Sequence, residues 1–162
     1  MLGILEELDL HDVVHVGHSV GSMIGVLAAT HSPERFGALT LVCPSPRYTN
    51  TGGYVGRFDQ QEIDALLEAL DANYLGWSAA MGPVIVSNAD RPELGQELKA
   101  SFCETDPDIA SHFAYVISLS DNRRDLARVS TPPLILQSEH DVMAPCGWVS
   151  TCTDRFPAVS LW

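Results

Sequence analysis

Two kinds of hydrophobic pattern alternate along the chain. Short, mostly apolar runs, which are typical of strands in a parallel sheet, lie at residues 13–16, where His15 interrupts the valines, and at residues 38–43, 134–137 and 158–162. Apolar positions at helical spacing predict helices at residues 2–8, 23–28, 60–74, 76–86, 92–104 and 107–120. The first apolar run is rich in β-branched valine, and we expect it to form a buried strand.

The order of these elements predicts an α/β fold. A strand, a helix and a second strand fill residues 13–43, and such a unit predicts two parallel strands. Helices without a good strand follow, and the sheet resumes after residue 129. We therefore predict a sheet core at residues 1–46 and 129–162, interrupted by a helical lid at residues 47–128. Since nothing before residue 13 supplies a neighbouring strand, the sheet is expected to be incomplete at its start.

Composition narrows the classes of partner. The 162 residues carry a formal net charge of −12, which repels phosphate backbones and anionic lipids, so neither nucleic acid nor a membrane is an expected partner. No apolar stretch is long enough to span a bilayer, and we expect a cytoplasmic protein. The cysteines are scattered, which favours reduced thiols, and no metal site or cofactor is expected. They are Cys43, Cys103, Cys146 and Cys152.

The first strand and the helix after it meet at residues 17–21, Gly-His-Ser-Val-Gly. A Gly-x-Ser-x-Gly spacing arises by chance in about one chain in twenty of this length. The strand before it and the helix after it make it typical of a nucleophile turn. Such a turn would expose the Ser19 hydroxyl above the sheet, and the Val20 N–H would stabilise a developing oxyanion. We expect Gly17 and Gly21 to remove side chains that would clash there.

A candidate acid follows the third predicted strand. Asp141 comes shortly after the apolar run at residues 134–137, so it is expected at the same carboxyl edge of the sheet as Ser19. A solvated loop carboxylate is the alternative interpretation of Asp141, and Glu139 is a weaker candidate for the acid.

A base and a substrate pocket are less well defined. His140 and His18 directly adjoin the acid and the serine, and neighbouring residues at a strand end point in different directions, so neither bridges the two. His112, on a predicted lid helix, is a further alternative, and no histidine is a convincing base. Trp77 and Phe113 of the lid, with His18, are candidate pocket residues, although helically spaced aromatics more often serve packing.

Four stretches resemble a known family. They are residues 17–25 (Gly-His-Ser-Val-Gly-Ser-Met-Ile-Gly), 44–48 (Pro-Ser-Pro-Arg-Tyr), 73–77 (Asn-Tyr-Leu-Gly-Trp) and 120–126 (Ser-Asp-Asn-Arg-Arg-Asp-Leu). With them the chain resembles the α/β-hydrolase superfamily, and more closely the branch of the bacterial stress regulator RsbQ and the plant strigolactone and karrikin receptors. The resemblance implies an α/β-hydrolase fold with a four-helix lid over an apolar pocket.

The resemblance also implies a Ser, Asp, His triad that hydrolyses small apolar esters or lactones. In it Ser19 is the nucleophile, Asp141 orients the histidine, and Val20 N–H is an oxyanion donor. For the RsbQ branch it implies signalling through a bound small molecule and a partner protein, which is the alternative function. Haloperoxidase or dehalogenase chemistry is weaker, because dehalogenases carry Asp where Ser19 stands.

This chain departs from the family at both ends. The family's strands before the serine turn, and its histidine after the last strand, have no counterpart in the sequence. We therefore expect the chain to be part of a longer hydrolase and, as written, to hydrolyse poorly, since loss of a triad member leaves only residual catalysis.

Overall fold

The computed structural model describes residues 1–145, 156 and 160–161. The chain divides into two compact units, one formed by Met1–Arg47 with Asp121–Trp162 and the other by Tyr48–Ser120. The sequence predicts that the helical lid ends at residue 128. Residues 121–128 instead belong to the first unit.

The first unit contains a parallel sheet with helices in its connections. Its elements are α1 (Leu2–Glu7), β1 (Val13–His18), α2 (Val20–His31), β2 (Phe36–Val42), β3 (Pro133–Leu136) and β4 (Ser160–Leu161). Short 3₁₀ turns at Pro33–Arg35 and Leu126–Arg128 precede β2 and β3. The strands lie in the order β1-β2-β3-β4 and every neighbouring pair is parallel. The predicted strand-helix-strand unit is therefore confirmed.

The strand register aligns the carboxyl ends of three strands. His18 pairs with Val42, and Val42 pairs with Leu136, so the last residues of β1, β2 and β3 form one row across the sheet. Residues that follow these strands consequently emerge at one edge, where ligands bind in open parallel sheets.

The core of this unit is centred on β2. Leu39 and Leu41 of β2, Val26 of α2 and Ile135 of β3 are each at most 1% exposed. Burying such side chains contributes roughly 1.5–3 kcal/mol each relative to leaving them in water.

The prediction that β1 is a buried strand was wrong. Val14 and Val16 are 65% and 66% exposed, and Gly17 is its one buried residue. The physical reason is coverage: α2 lies over the face of β1 that carries His15 and Gly17, whereas Val14 and Val16 point to the opposite face. A continuous apolar run predicts burial on both faces only when neighbours cover both.

The second unit is built from helices α3 (Gln60–Ala72), α4 (Tyr74–Val86), α5 (Pro92–Glu104) and α6 (Pro107–Leu119). All four lie where hydrophobic spacing predicts them. Asp59 and Glu62 form a reciprocal capping box that fixes the start of α3. The α4 and α5 backbones approach so closely that a Cβ at Gly82 would lie 2.8 Å from the Gly95 carbonyl oxygen. None of the described helices has the length and apolar composition needed to cross a bilayer.

Residues 47–57, whose polar composition predicts a linker or an excursion out of the sheet layer, contribute buried side chains. Tyr48 and Tyr54 are 8% and 4% exposed, and isolated β-bridges join Thr49 to Phe58 and Thr51 to Tyr54. The sequence also predicts a loosely helical segment from Cys146 onward, and apart from Phe156 this segment lies outside the described residues. The strand predicted at residues 158–162 is described only at residues 160–161, where it pairs with β3.

Candidate active site

Ser19 occupies the sharp turn between β1 and α2. Its backbone has φ 53° and ψ −120°, which is a conformation that residues other than glycine rarely adopt. A serine at the N-cap of a helix ordinarily accepts a hydrogen bond from the helix backbone, but the Ser19 side chain does not cap α2. The Ser19 hydroxyl therefore does not act as the helix cap that its position at the N-terminus of α2 predicts.

Hydrogen bonds from both sides hold this turn. Ser19 N–H donates to the Val42 carbonyl at 2.8 Å and so ties the turn to the end of β2. The Ser22 hydroxyl donates to the Gly17 carbonyl at 2.6 Å and ties the first turn of α2 to the end of β1. Ser22 is fully buried, so this bond is shielded from water.

The two glycines of the motif have different roles. A Cβ at Gly17 would lie 2.5 Å from the backbone of Gly21 and 2.5 Å from His15 Nε2, so glycine is required there. A Cβ at Gly21 would meet nothing within 4 Å, and the prediction that Gly21 prevents a clash was wrong.

Val20 is the first residue of α2. The first N–H groups of a helix have no intrahelical acceptor, and the helix dipole places partial positive charge there. The Val20 N–H thus lies in the first turn of α2, one residue from Ser19, and its role as an oxyanion donor stays a prediction.

Asp141 lies in the loop after β3, with its carboxylate held by the loop itself. Its Oδ1 accepts hydrogen bonds from Met143 N–H and Ala144 N–H, each at 2.8 Å. Gln137, the residue after β3, donates from Nε2 to the Ala144 carbonyl at 2.8 Å. Both bonds to Asp141 use Oδ1, and the side chain is partly buried rather than fully solvated. Gln137 was not predicted as a site residue; a polar residue ending an apolar strand is the signal that could have found it.

The described histidines do not complete a triad. His18 is exposed at the end of β1, and His140 is exposed beside Asp141. In the described part of the chain, no histidine donates a hydrogen bond to Asp141. His112 is exposed on α6 in the second unit.

The predicted pocket aromatics lie in the second unit. Trp77 of α4 packs against Phe102 of α5, with ring centroids 5.8 Å apart. Its indole Nε1 is buried and has no hydrogen-bond partner among the described residues. Phe113 of α6 is 47% exposed. A cavity of about 460 Å³ lies in this unit between Pro83 and Gln96, and its lining includes neither Trp77 nor Phe113.

Among the described residues, no group of three or more His, Cys, Asp or Glu side chains could hold a metal ion. Cys43 is partly buried and Cys103 is exposed. Cys146 and Cys152 lie outside the described residues.

Comparison with known proteins gives the family. The family model for the α/β hydrolase fold matches residues 1–78. A karrikin insensitive 2 receptor B of Petunia hybrida is 37% identical over 145 residues, covering 90% of this chain and 53% of the receptor. The strigolactone esterase D14 of Arabidopsis thaliana is 34% identical, covering 90% of this chain and 54% of the esterase. The chain thus spans about half the length of the curated relatives it matches.

A solved structure agrees with these relatives. A hydrolase from Oleispira antarctica superposes with a TM-score of 0.92 at 38% sequence identity, covering 98% of this chain and 59% of that hydrolase. The parallel sheet, the Ser19 turn and these similarities agree, and the chain belongs to the α/β-hydrolase fold family, in the branch of the strigolactone and karrikin receptors.

Proposed function

We propose that this chain carries the nucleophile, the acid and one oxyanion donor of a serine hydrolase that acts on small apolar esters or lactones. The observation that carries the proposal is the Ser19 turn, because a serine on a strained strand-to-helix corner is typical of a hydrolase nucleophile. The similarity to a strigolactone esterase and to a bacterial hydrolase supports the same chemistry.

The proposed reaction begins with attack of Ser19 Oγ on the ester carbonyl carbon. A general base removes the hydroxyl proton, and the Val20 N–H stabilises the oxyanion of the tetrahedral intermediate. The intermediate then expels the alcohol, which takes up the proton from the base, and leaves an acyl group on Ser19. Water then attacks the acyl carbon, with the base removing its proton. Ser19 Oγ leaves and takes the proton back from the base, and the carboxylic acid is released.

Asp141 would orient the base of this reaction. The bonds from Met143 and Ala144 fix one carboxylate oxygen, so the other oxygen has a defined direction in which to accept an imidazole N–H. Since no histidine is bonded to Asp141 among the described residues, the test supplies a base from solution.

Acylation of Ser19 with added imidazole tests the proposal. The chain is incubated with p-nitrophenyl acetate, with and without imidazole as a substitute base, and the acetyl group is located by peptide mass mapping. We expect an adduct on Ser19 that imidazole increases, and none at this peptide in Ser19→Ala. Absence of a Ser19 adduct under both conditions would refute the nucleophile assignment.

A second candidate function is ligand-dependent signalling through a partner protein. The 37% identity to a karrikin receptor favours it, together with the apolar exposed face of α6, where Ile109 and Val116 are 67% and 54% exposed. Melting temperatures with and without a karrikin or a strigolactone distinguish the two candidates. A shift retained in Ser19→Ala supports ligand binding without turnover, whereas a shift lost in that variant favours the enzyme.

A further inference from the structure

We propose that His15 is a positioning residue for the Ser19 turn: its imidazole ties β1 to the first turn of α2 and fixes the backbone that carries the nucleophile. The inference rests on the proposed function in assigning Ser19 as the nucleophile. The contact that defines it is His15 Nε2 to the Gly21 carbonyl oxygen at 3.0 Å.

The bond has a definite donor. A carbonyl oxygen only accepts, so Nε2 of His15 carries a hydrogen and donates it to Gly21. Gly21 lies two residues after Ser19, and His15 lies four residues before it. The bond therefore closes the turn from one side, while the bond from Ser22 to Gly17 closes it from the other.

The imidazole also accounts for two glycines. A Cβ at Gly17 would lie 2.5 Å from Nε2, and a Cβ at Gly25, one turn further along α2, would overlap the ring atoms of His15. The ring thus occupies space between strand and helix that only glycines leave open. A rigid ring in this space cannot swing aside as the end of a flexible side chain can, so it sets the distance between β1 and the start of α2.

This position matters because the geometry of Ser19 is strained. A residue at φ 53° and ψ −120° stays there only when its surroundings hold it. Release of the Gly21 carbonyl would let the first turn of α2 relax and would move both the Ser19 hydroxyl and the Val20 N–H. Displacement of a reacting group by about 1 Å costs up to about a hundredfold in rate.

Three variants test the assignment. His15→Phe keeps a ring and removes the donor, and His15→Gln keeps a side-chain N–H. His31→Phe is the matched control, because His31 Nδ1 also bonds a carbonyl of α2, that of Leu27 at 2.9 Å, but in the last turn and exposed to solvent. Hydrogen exchange of residues 19–23 reports the turn, and acetylation of Ser19 in the presence of imidazole reports the nucleophile.

We expect His15→Phe to speed exchange at residues 19–23 and to slow Ser19 acetylation, each about tenfold, with β2 and β3 unaffected. His15→Gln should restore most of the exchange protection and most of the acetylation rate. His31→Phe should change neither the exchange at residues 19–23 nor the acetylation of Ser19. Equal exchange and acetylation in His15→Phe and the unaltered chain would overturn the proposal, as would uniformly faster exchange throughout the sheet, which indicates general packing.

One measurement needs no variant. Long-range ¹H–¹⁵N correlation spectra of the histidines report the tautomer, and His15 should be the Nε2–H form with a slowly exchanging proton; the Nδ1–H form would overturn the proposal. If the unaltered chain takes no acetyl group on Ser19, the proposed function fails, whereas the exchange and tautomer results still decide the role of His15.

Discussion

At the scale of single residues, the backbone of Ser19 is strained at its position in the turn. Glycine adopts φ 53° and ψ −120° without steric cost, whereas alanine keeps the strain of serine. We expect the free energy of unfolding of Ser19→Gly to exceed that of Ser19→Ala by about 1 kcal/mol. Urea unfolding of the two variants measures the difference, and equal midpoints would contradict strain at this residue.

Gly17 and Gly21 form a matched pair for a second residue-scale prediction. Gly17→Ala places a Cβ against backbone atoms that cannot move aside, and we expect it to destabilise the fold by about 1–3 kcal/mol. Gly21→Ala enters open space in the first turn of α2 and should be neutral or stabilising by up to about 1 kcal/mol. Thermal unfolding compares them. A larger loss in Gly21→Ala than in Gly17→Ala would contradict the geometry.

Sequence reasoning reached the residues of the turn because a local rule connects them. The spacing of residues 17–21 between strand and helix was enough to locate Ser19 and Val20 at the observed corner. The same rule treated both glycines alike and was wrong for Gly21. The bond from His15 could not be predicted, because it depends on how α2 folds back over β1, which is a tertiary contact.

At the scale of elements, Asp71 joins two helices of the second unit. Its Oδ1 accepts from the Ser111 hydroxyl and its Oδ2 from the Tyr115 hydroxyl, each at 2.7 Å, so α3 is tied to α6. The hydrogen bond to the Asp71 carboxylate raises the pKa of Tyr115. The bond from Tyr115, and then the bond from Ser111, lower the pKa of Asp71.

Removing the Asp71 charge should therefore shift a tyrosine titration. In Asp71→Asn the pKa of Tyr115 should fall toward its ordinary value, because the phenolate no longer faces a carboxylate. NMR titration of ¹³C-labelled tyrosine, assigned with Tyr115→Phe, measures it. Ser111→Ala is the control, since it leaves the Tyr115 bond in place. An unchanged Tyr115 midpoint in Asp71→Asn would show that this hydrogen bond is not formed.

The helices were more predictable than the exposure of the strands. Asp59 before α3 and the prolines that open α5 and α6 are local signals for helix starts, and all three helices begin there. The exposure of Val14 and Val16 depends instead on which elements cover each face of β1, and hydrophobic pattern alone does not contain that information.

At the scale of the whole molecule, the chain crosses between its two units beside one ion-pair cluster. Arg123 binds Asp121 through two nitrogens at 2.7 and 2.6 Å, and Arg47 binds it at 2.7 Å. The hydrogen bonds from Arg123 hold the pKa of the Asp121 carboxyl well below its usual range, and the bond from Arg47 lowers it further. The cluster joins the two segments of the first unit, which are far apart in sequence.

A depressed pKa predicts a definite pH dependence. Asp121 stabilises the fold fully above its unfolded pKa of about 3.9, and this contribution is lost as pH falls below that value toward the folded pKa. We expect Asp121→Asn to lower the free energy of unfolding by about 1 kcal/mol at pH 7 and by less at pH 3. Urea unfolding at both pH values measures it.

Asp125→Asn is the control, because the bond of Asp125 to Arg128 is one local pair on a more exposed arginine. It should change stability by at most about 0.5 kcal/mol at either pH. An effect of Asp121→Asn that is the same at pH 7 and pH 3 would contradict the ion-pair account.

The alternation of strands and helices was enough to predict a sheet core interrupted by helices. The sequence predicts that the core resumes at residue 129, whereas the first unit resumes at Asp121. Residues 121–128 contain no strand, and only their contacts assign them to the first unit. The candidate base could not be predicted, because His18 and His140 directly adjoin the serine and the acid and so cannot bridge them.

The chain leaves the sheet unit and returns to it at a single point, since Asn122 N–H donates to the Pro46 carbonyl at 2.8 Å. In terms of chain connectivity, the helical unit is one continuous insertion into the sheet unit, and its two ends are neighbours. An insertion whose ends already meet adds little loop-closure entropy, whatever its length. Helical segments of different size and lining could therefore occupy this point without altering the parallel strands or the serine turn.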